Sequence, residues 1–256
     1  MQTPKINTEK FTMSFWPINC FKDKNVLITG GSSGIGAAIA RGFLAEGAKV
    51  TYTGVTEAEV DTATSVLRGA SGVVLDVRDR TGVEEIIDSF DSLHHVINCA
   101  GVIRRLEELD PEVFDNVVDI NLNGTMRVCA AARSKLADTG GTIVNTASML
   151  AFFGGGLVPA YAASKGGIAQ LTKSLAIAYA EDGVRVNAIA PGWIETPLTE
   201  KLRENPERNK AITERTALKR WGKPEELVGG VLYLASPIAA YVTGTVLVID
   251  GGYLTV

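Results

Sequence analysis

The chain has 256 residues, 46% of them hydrophobic and 21% charged, with a formal net charge of −4. This composition supplies a sizeable core and excludes a disordered chain, and the acidic balance excludes a nucleic-acid or polyanion-binding surface. Three irregularly spaced cysteines (Cys20, Cys99, Cys129) exclude a disulfide framework, no apolar run reaches the ~18 residues of a membrane span, and reduced thiols in a cytoplasmic protein are expected.

Residues 1–22 read as an N-terminal arm. Lys5, Glu9 and Lys10 interrupt it, so it is not a secretory leader. Its Phe11, Phe15, Trp16 and Ile18 are expected to pack on the domain or on a neighbouring subunit. Residues 23–256 carry no linker, repeat or low-complexity tract and read as one domain. A strand over residues 25–29 runs into Gly30-Gly31-Ser32-Ser33-Gly34-Ile35-Gly36. An Ala-rich amphipathic helix follows over residues 34–46, ended by Gly47, and residues 49–53 form the next strand. Strand, glycine turn, helix and strand together are the context in which a glycine motif binds a dinucleotide. The glycines permit close backbone approach, and the helix N-terminus offers free N–H groups to a pyrophosphate.

Further strands are expected at residues 73–77, 96–101, 142–147, 185–190 and 245–249. Helices are expected at 80–90, from Pro111 to about 137, at 161–180 and from Pro224 to 235, with a loosely helical polar stretch at 198–215. The adjacent His94 and His95 read as a surface turn, and no metal site is expected. Alternation of apolar strands with helices predicts an α/β fold, a doubly wound parallel sheet buried on both faces.

Tyr161-Ala-Ala-Ser-Lys165 places a tyrosine and a lysine one turn apart on one helix face. A lysine ammonium beside a phenol favours the phenolate, and the pair can then move a proton at an alcohol or carbonyl oxygen. Alone, the spacing also fits any amphipathic helix with a tyrosine at its buried edge. Ser148 by itself fits a strand-end cap, and Asn121 fits a helix-packing polar residue.

Read together, these motifs resemble the short-chain dehydrogenase/reductase family over residues 22–253. Thr29-Gly30-Gly31-Ser32-Ser33-Gly34-Ile35-Gly36 matches the family's cofactor turn. Asn98-Cys99-Ala100-Gly101 matches its Asn-Asn-Ala-Gly with cysteine in second place, taken as an inert packing replacement. Asn121, Ser148, Tyr161 and Lys165 match its catalytic four, and Pro191-Gly192 with Ile194 and Thr196 matches the segment that closes over the nicotinamide. The resemblance implies a Rossmann-type sheet of about seven strands, a homotetramer, and hydride transfer between a nicotinamide and a secondary alcohol or ketone. In it Tyr161 exchanges the substrate proton, Lys165 lowers the Tyr161 pKa and holds the ribose, Ser148 donates to the substrate oxygen, and the Asn121 side chain holds a water for a proton relay.

The resemblance also implies cofactor contacts at Gly54, Asp76 and Val77. The cofactor is NAD or NADP. Gly54 offers no acid to repel a 2′-phosphate, Val55 and Ser33 offer no cation to attract it, and the hydroxyls of Ser33, Thr53 and Thr56 turn the balance to NADP. The substrate is expected among Met149, Leu150, Phe153, Val158, Trp193 and Leu198, about half of the apolar residues there serving the core or a subunit contact instead. A mostly apolar pocket favours an uncharged ketone or alcohol, with Arg104 and Arg105 in a solvated loop. β-Ketoacyl-carrier-protein reduction is the alternative. Arg133 fits one docking position, but Ile177, Glu181 and Asp182 weaken it. A non-catalytic cofactor-binding regulator on the same fold is a minor alternative. The apolar C-terminal tail, with Tyr253, Leu254 and Val256, is expected against a neighbouring subunit.

Overall fold

The computed structural model describes residues 19–256, so Phe11, Phe15, Trp16 and Ile18 of the arm lie outside the described residues. Within them the strands are β1 (Asn25–Thr29), β2 (Lys49–Gly54), β3 (Ser71–Val74), β4 (His95–Asn98), β5 (Thr142–Thr146), β6 (Arg185–Pro191) and β7 (Val246–Ile249). They form one seven-stranded sheet in the order β3-β2-β1-β4-β5-β6-β7, every pair parallel. The helices are α1 (Gly34–Ala45), α2 (Glu57–Val66), α3 (Arg80–Asp88), α4 (Pro111–Val118), α5 (Thr125–Ala137), α6 (Pro159–Ala178), α7 (Glu200–Glu204), α8 (Pro206–Arg215) and α9 (Glu225–Ala235).

The apolar runs are strands because both of their faces are covered. In β1, Val26 and Ile28 join one buried cluster and Leu27 joins another, as alternation along a strand requires. Helices α1, α2 and α9 cover the first face with Ile39, Phe43, Ala63, Leu227 and Val231. Helices α3, α5 and α6 cover the second with Val83, Ile87, Val128, Leu136 and Leu175. Sheet order reverses between β1 and β4, and the crevice beyond the carboxyl ends of those strands is where such sheets bind ligands.

Four expectations change. The third strand is Ser71–Val74 rather than residues 73–77, because the chain turns at Asp76, whose carbonyl accepts the Asp79 N–H at 2.9 Å. Helix α2 is additional to the elements expected. Only Ala63 of it is buried, so it has no apolar stripe to read. His95 is no surface residue: it is 8% exposed in β4, packs on Phe21 and Phe43, and has Nδ1 2.8 Å from Thr142 Oγ1. Burial brings its pKa down to about 3. Finally, Tyr253 of the C-terminal tail folds back on its own chain. It is 8% exposed and stacks on Phe153 (6.1 Å) and on the Arg215 guanidinium (4.4 Å), while Val256 remains exposed.

Candidate active site

The turn after β1 can be made only with glycine. Gly30 and Gly34 have φ of +63° and +53°. A Cβ on Gly30 would lie 2.7 Å from Ala100 Cα, and one on Gly36 only 2.2 Å from the Gly30 carbonyl oxygen. Ser33, at the N-cap of α1, makes no side-chain cap hydrogen bond, so the first N–H groups of the helix lack a side-chain acceptor. With the positive end of the helix dipole they fit a phosphate.

A groove of about 550 Å³ opens at this turn. Of the expected cofactor residues, Gly30, Ser32, Ser33, Ile35 and Gly36 line it from the turn, Gly54, Asp76 and Val77 from the ends of β2 and β3, and Ala100, Gly101 and Thr196 from beyond β4 and β6. Leu198, expected at the substrate, lines this groove instead and is exposed. Among the lining residues that the sequence does not single out, two carry charge. Glu59 comes from α2, and Arg78 holds the Asp76 carboxyl below the usual carboxylate range through its hydrogen bonds.

Other expected cofactor residues stand behind the groove. Asn98 is buried in β4, where its amide donates to Asn145 Oδ1 (2.9 Å) and its oxygen accepts from Thr29 Oγ1 (3.4 Å). It ties strands together rather than lining the groove. Ile194 is buried in the core. Pro191 ends β6, and a Cβ on Gly192 would lie 2.5 Å from Asp250 Cα, so this segment needs glycine for close packing.

The four catalytic candidates converge beside the groove. Tyr161 and Lys165 sit in the first two turns of α6, with Lys165 Nζ 5.5 Å from the Tyr161 ring centroid. Lys165 is 4% exposed and donates to the Thr146 carbonyl at 2.7 Å. Burial lowers its pKa to about 8. Tyr161 is raised above its ordinary value, by burial first; a Ser148 hydrogen bond opposes this, and the nearby Glu108 adds to it. The lowering by Lys165 expected from the sequence does not appear in the free site, where desolvation of the phenolate outweighs the Ser148 hydrogen bond. Ser148 leaves β5 as the cap of a short 3₁₀ turn, its Oγ accepting the Leu150 N–H at 3.2 Å.

Asn121 lies in a π-helical turn, Asp119–Gly124, between α4 and α5. Such turns recur at functional sites because they swing one side chain out of helical register. Its Oδ1 accepts the Val102 N–H (2.8 Å), and its Nδ2 donates to the Val102 carbonyl (2.9 Å) and to Ser164 Oγ (3.1 Å). Both amide protons are thus engaged by protein atoms. The side chain braces the Gly101–Val102 turn against α6, and the second lone pair of Oδ1 is where it would accept from a water.

Glu108 is the residue the sequence did not reveal. It is 1% exposed, and its carboxylate accepts the Arg104 N–H and the Tyr161 N–H, each at 2.8 Å. It joins the loop after β4 to the first turn of the catalytic helix. Of the expected substrate residues, Met149 and Val158 are buried. Phe153 and Trp193 pack on Tyr253 at 6.1 and 6.2 Å, and Leu150 lies against Gly155. Cys99 packs beside Thr146 with burial pushing its thiol up to about 11, in keeping with an inert role.

The model of the family described as Enoyl-(Acyl carrier protein) reductase matches residues 30–254. The 2-dehydro-3-deoxy-D-gluconate 5-dehydrogenase of Pseudoalteromonas atlantica is 38% identical over 243 residues, 90% of this chain and 96% of that protein. The 3-oxoacyl-(acyl-carrier-protein) reductase of Thermotoga maritima is also 38% identical, over 90% of this chain and 97% of its own. The crystal structure of a gluconate 5-dehydrogenase from Burkholderia cenocepacia, in complex with NADP and tartrate, superposes with a TM-score of 0.87 at 30% identity, covering 93% of this chain and 99% of that one. Glycine turn, seven-stranded parallel sheet, Tyr–Lys pair and full-length relatives lead to one conclusion: the chain belongs to the short-chain dehydrogenase/reductase family.

Proposed function

We propose that this protein is an NAD(P)-dependent dehydrogenase/reductase that interconverts a secondary alcohol and a ketone in a sugar acid. The observation that carries the reading is the Tyr161–Lys165 pair with Ser148, beside a groove whose glycine turn and helix N-terminus fit a dinucleotide. Gly30, Ser32, Ser33, Ile35 and Gly36 would hold the phosphates, and Gly101 and Thr196 would border the nicotinamide end. When bound, NAD or NADP accepts or supplies the hydride. Tyr161 gives a proton to the substrate oxygen in reduction and takes it in oxidation. Ser148 donates a hydrogen bond to that oxygen, where charge develops. Lys165 holds positive charge beside the phenol, and Asn121 and Glu108 keep the flanking turn and helix in place.

The acid character of the substrate rests on arginines. Arg105 has its pKa lowered by burial and by the nearby Arg208, and neither forms a salt bridge among the described residues. A carboxylate would relieve that repulsion. Two enclosed donors with no protein partner among the described residues, Trp193 Nε1 and Arg203 Nε, suit a substrate rich in oxygen. The uncharged substrate favoured by apolar composition gives way on these grounds, with support from the name of the Pseudoalteromonas relative. Carrier-protein reduction ranks second because Arg133 is bound to Asp182 at 2.6 Å and Ile177 is 79% exposed where a cation would serve docking.

The test follows nicotinamide absorbance across sugar acids, neutral polyols, ketones and a carrier-protein thioester. Turnover is expected to be highest with a hydroxy or keto sugar acid, and Tyr161→Phe should lower kcat about a thousandfold. Faster turnover of the thioester would reverse the ranking, and full activity of the Phe variant would remove the assignment. A homotetramer in the cytoplasm completes the proposal. β7 is an edge strand with Val248 exposed, the kind of edge a second copy covers, and the cysteines are unpaired.

A further inference from the structure

We propose that Glu59 determines how strongly this protein discriminates against a phosphate on the adenosine ribose of its dinucleotide. The inference rests on reading the groove as a nicotinamide-dinucleotide site and goes further, to the choice between the two forms. In folds of this order an acid near the end of the second strand binds the ribose hydroxyls. Here that position is Gly54, which has no side chain. The structure supplies the carboxylate from elsewhere. A Cβ on Gly54 would lie 3.2 Å from Glu59 Oε2 and 3.2 Å from Ser32 Cβ, so Glu59 occupies the space that an acidic side chain at 54 would enter. It lines the same groove as Ser32, Ser33, Gly54 and Asp76.

The side chain is held there. Glu59 Oε2 accepts the Val55 N–H at 2.8 Å, and the Glu59 N–H donates to the Thr56 cap of α2 at 3.2 Å. The first turn of α2 thus aims its carboxylate back at the strand end, a variation on the capping box. No salt bridge among the described residues involves Glu59. Arg78, in the same groove, is committed to Asp76 at 2.6 Å and to Asn116 at 2.9 Å. A carboxylate with one backbone donor keeps lone pairs for ribose hydroxyls and repels a phosphate.

The competing role is helix capping alone, and Glu59→Gln separates the two: the amide oxygen can still accept the Val55 N–H, and only the charge is lost. The experiment titrates NADH and NADPH by their fluorescence on the full-length chain and the variant, at low and high salt. The Kd ratio of NADPH to NADH should fall about tenfold in Glu59→Gln at low salt, and by less at high salt as screening weakens the charge. A Gly54→Asp/Glu59→Ala chain, which returns an acid to the strand end, should keep the wild-type ratio. A ratio unchanged within about twofold in Glu59→Gln, with both dinucleotides bound, would leave Glu59 a cap and overturn the proposal while sparing the cofactor reading. Failure of the wild type to bind either dinucleotide would overturn both.

Discussion

Glu108 ties the chemistry together at the level of single side chains. Its two oxygens hold the Arg104 and Tyr161 N–H groups, and its charge raises the Tyr161 pKa. Glu108→Gln keeps one acceptor and removes the charge, so the alkaline rise of alcohol oxidation, which needs the phenolate, should move to lower pH in a pH–rate profile. Glu108→Ala leaves two enclosed N–H groups without an acceptor and should cost about 2–4 kcal/mol in denaturant unfolding. His95 bears on stability rather than catalysis. Its folded pKa of about 3 lies below the ordinary 6.5, so the unfolded chain binds the extra proton between those values. The stability it contributes is present above pH 6.5 and is lost as pH falls, by about 2 kcal/mol between pH 6.5 and 5. Unfolding curves across that range should show the slope, and the His95→Leu/Thr142→Val chain, which replaces the buried pair with apolar groups, should flatten it.

At the scale of elements, the glycine turn and α1 act as one device. The turn brings the start of α1 against Ala100 and Thr196 because no Cβ intervenes at Gly30, Gly34 or Gly36. Gly36→Ala puts a methyl 2.2 Å from the Gly30 oxygen, so the turn must open. Fluorescence titration should show at least about tenfold weaker dinucleotide binding, from roughly 1–3 kcal/mol of overpacking. A folded variant with unchanged affinity would mean that the turn does not shape the groove. The π-turn around Asn121 and the capped start of α2 play the same part for Val102 and Glu59. In each case a local departure from regular helix delivers one side chain to the groove or its rim.

For the whole molecule, the C-terminal tail links the substrate side to the last strand. Asp250 caps the tail by accepting the Gly252 and Leu254 N–H groups at 2.8 Å, and Tyr253 fills the space between Phe153, Trp193 and Arg215. A chain ending at Gly252 should lose about 3 kcal/mol, from burial of the ring and its cation–π contact. Its KM should rise, because Phe153 and Trp193 lose their support. Thermal unfolding and steady-state kinetics check the two, and light scattering on the same chains reads the assembly. Unchanged KM would place the tail outside the substrate site.

The amino-acid sequence by itself determined the order of strands and helices, the glycine turn and the Tyr161–Lys165 spacing. These are written in contiguous residues: apolar runs long enough to be buried on both faces, glycines where the backbone must close, and Tyr161 and Lys165 at helical spacing. Only the tertiary structure decided which side chains reach the site from a distance. Glu59 sits on a helix with almost no buried face, and Glu108 meets Tyr161 across 53 positions of chain. Neither contact leaves a periodic trace, because a single long-range hydrogen bond constrains one residue rather than a pattern. The same reason hid the interior place of His95 and the inward fold of Tyr253. Both depend on partners brought together by strand pairing and chain closure, and the sign of the Tyr161 shift depends on how completely those partners exclude water.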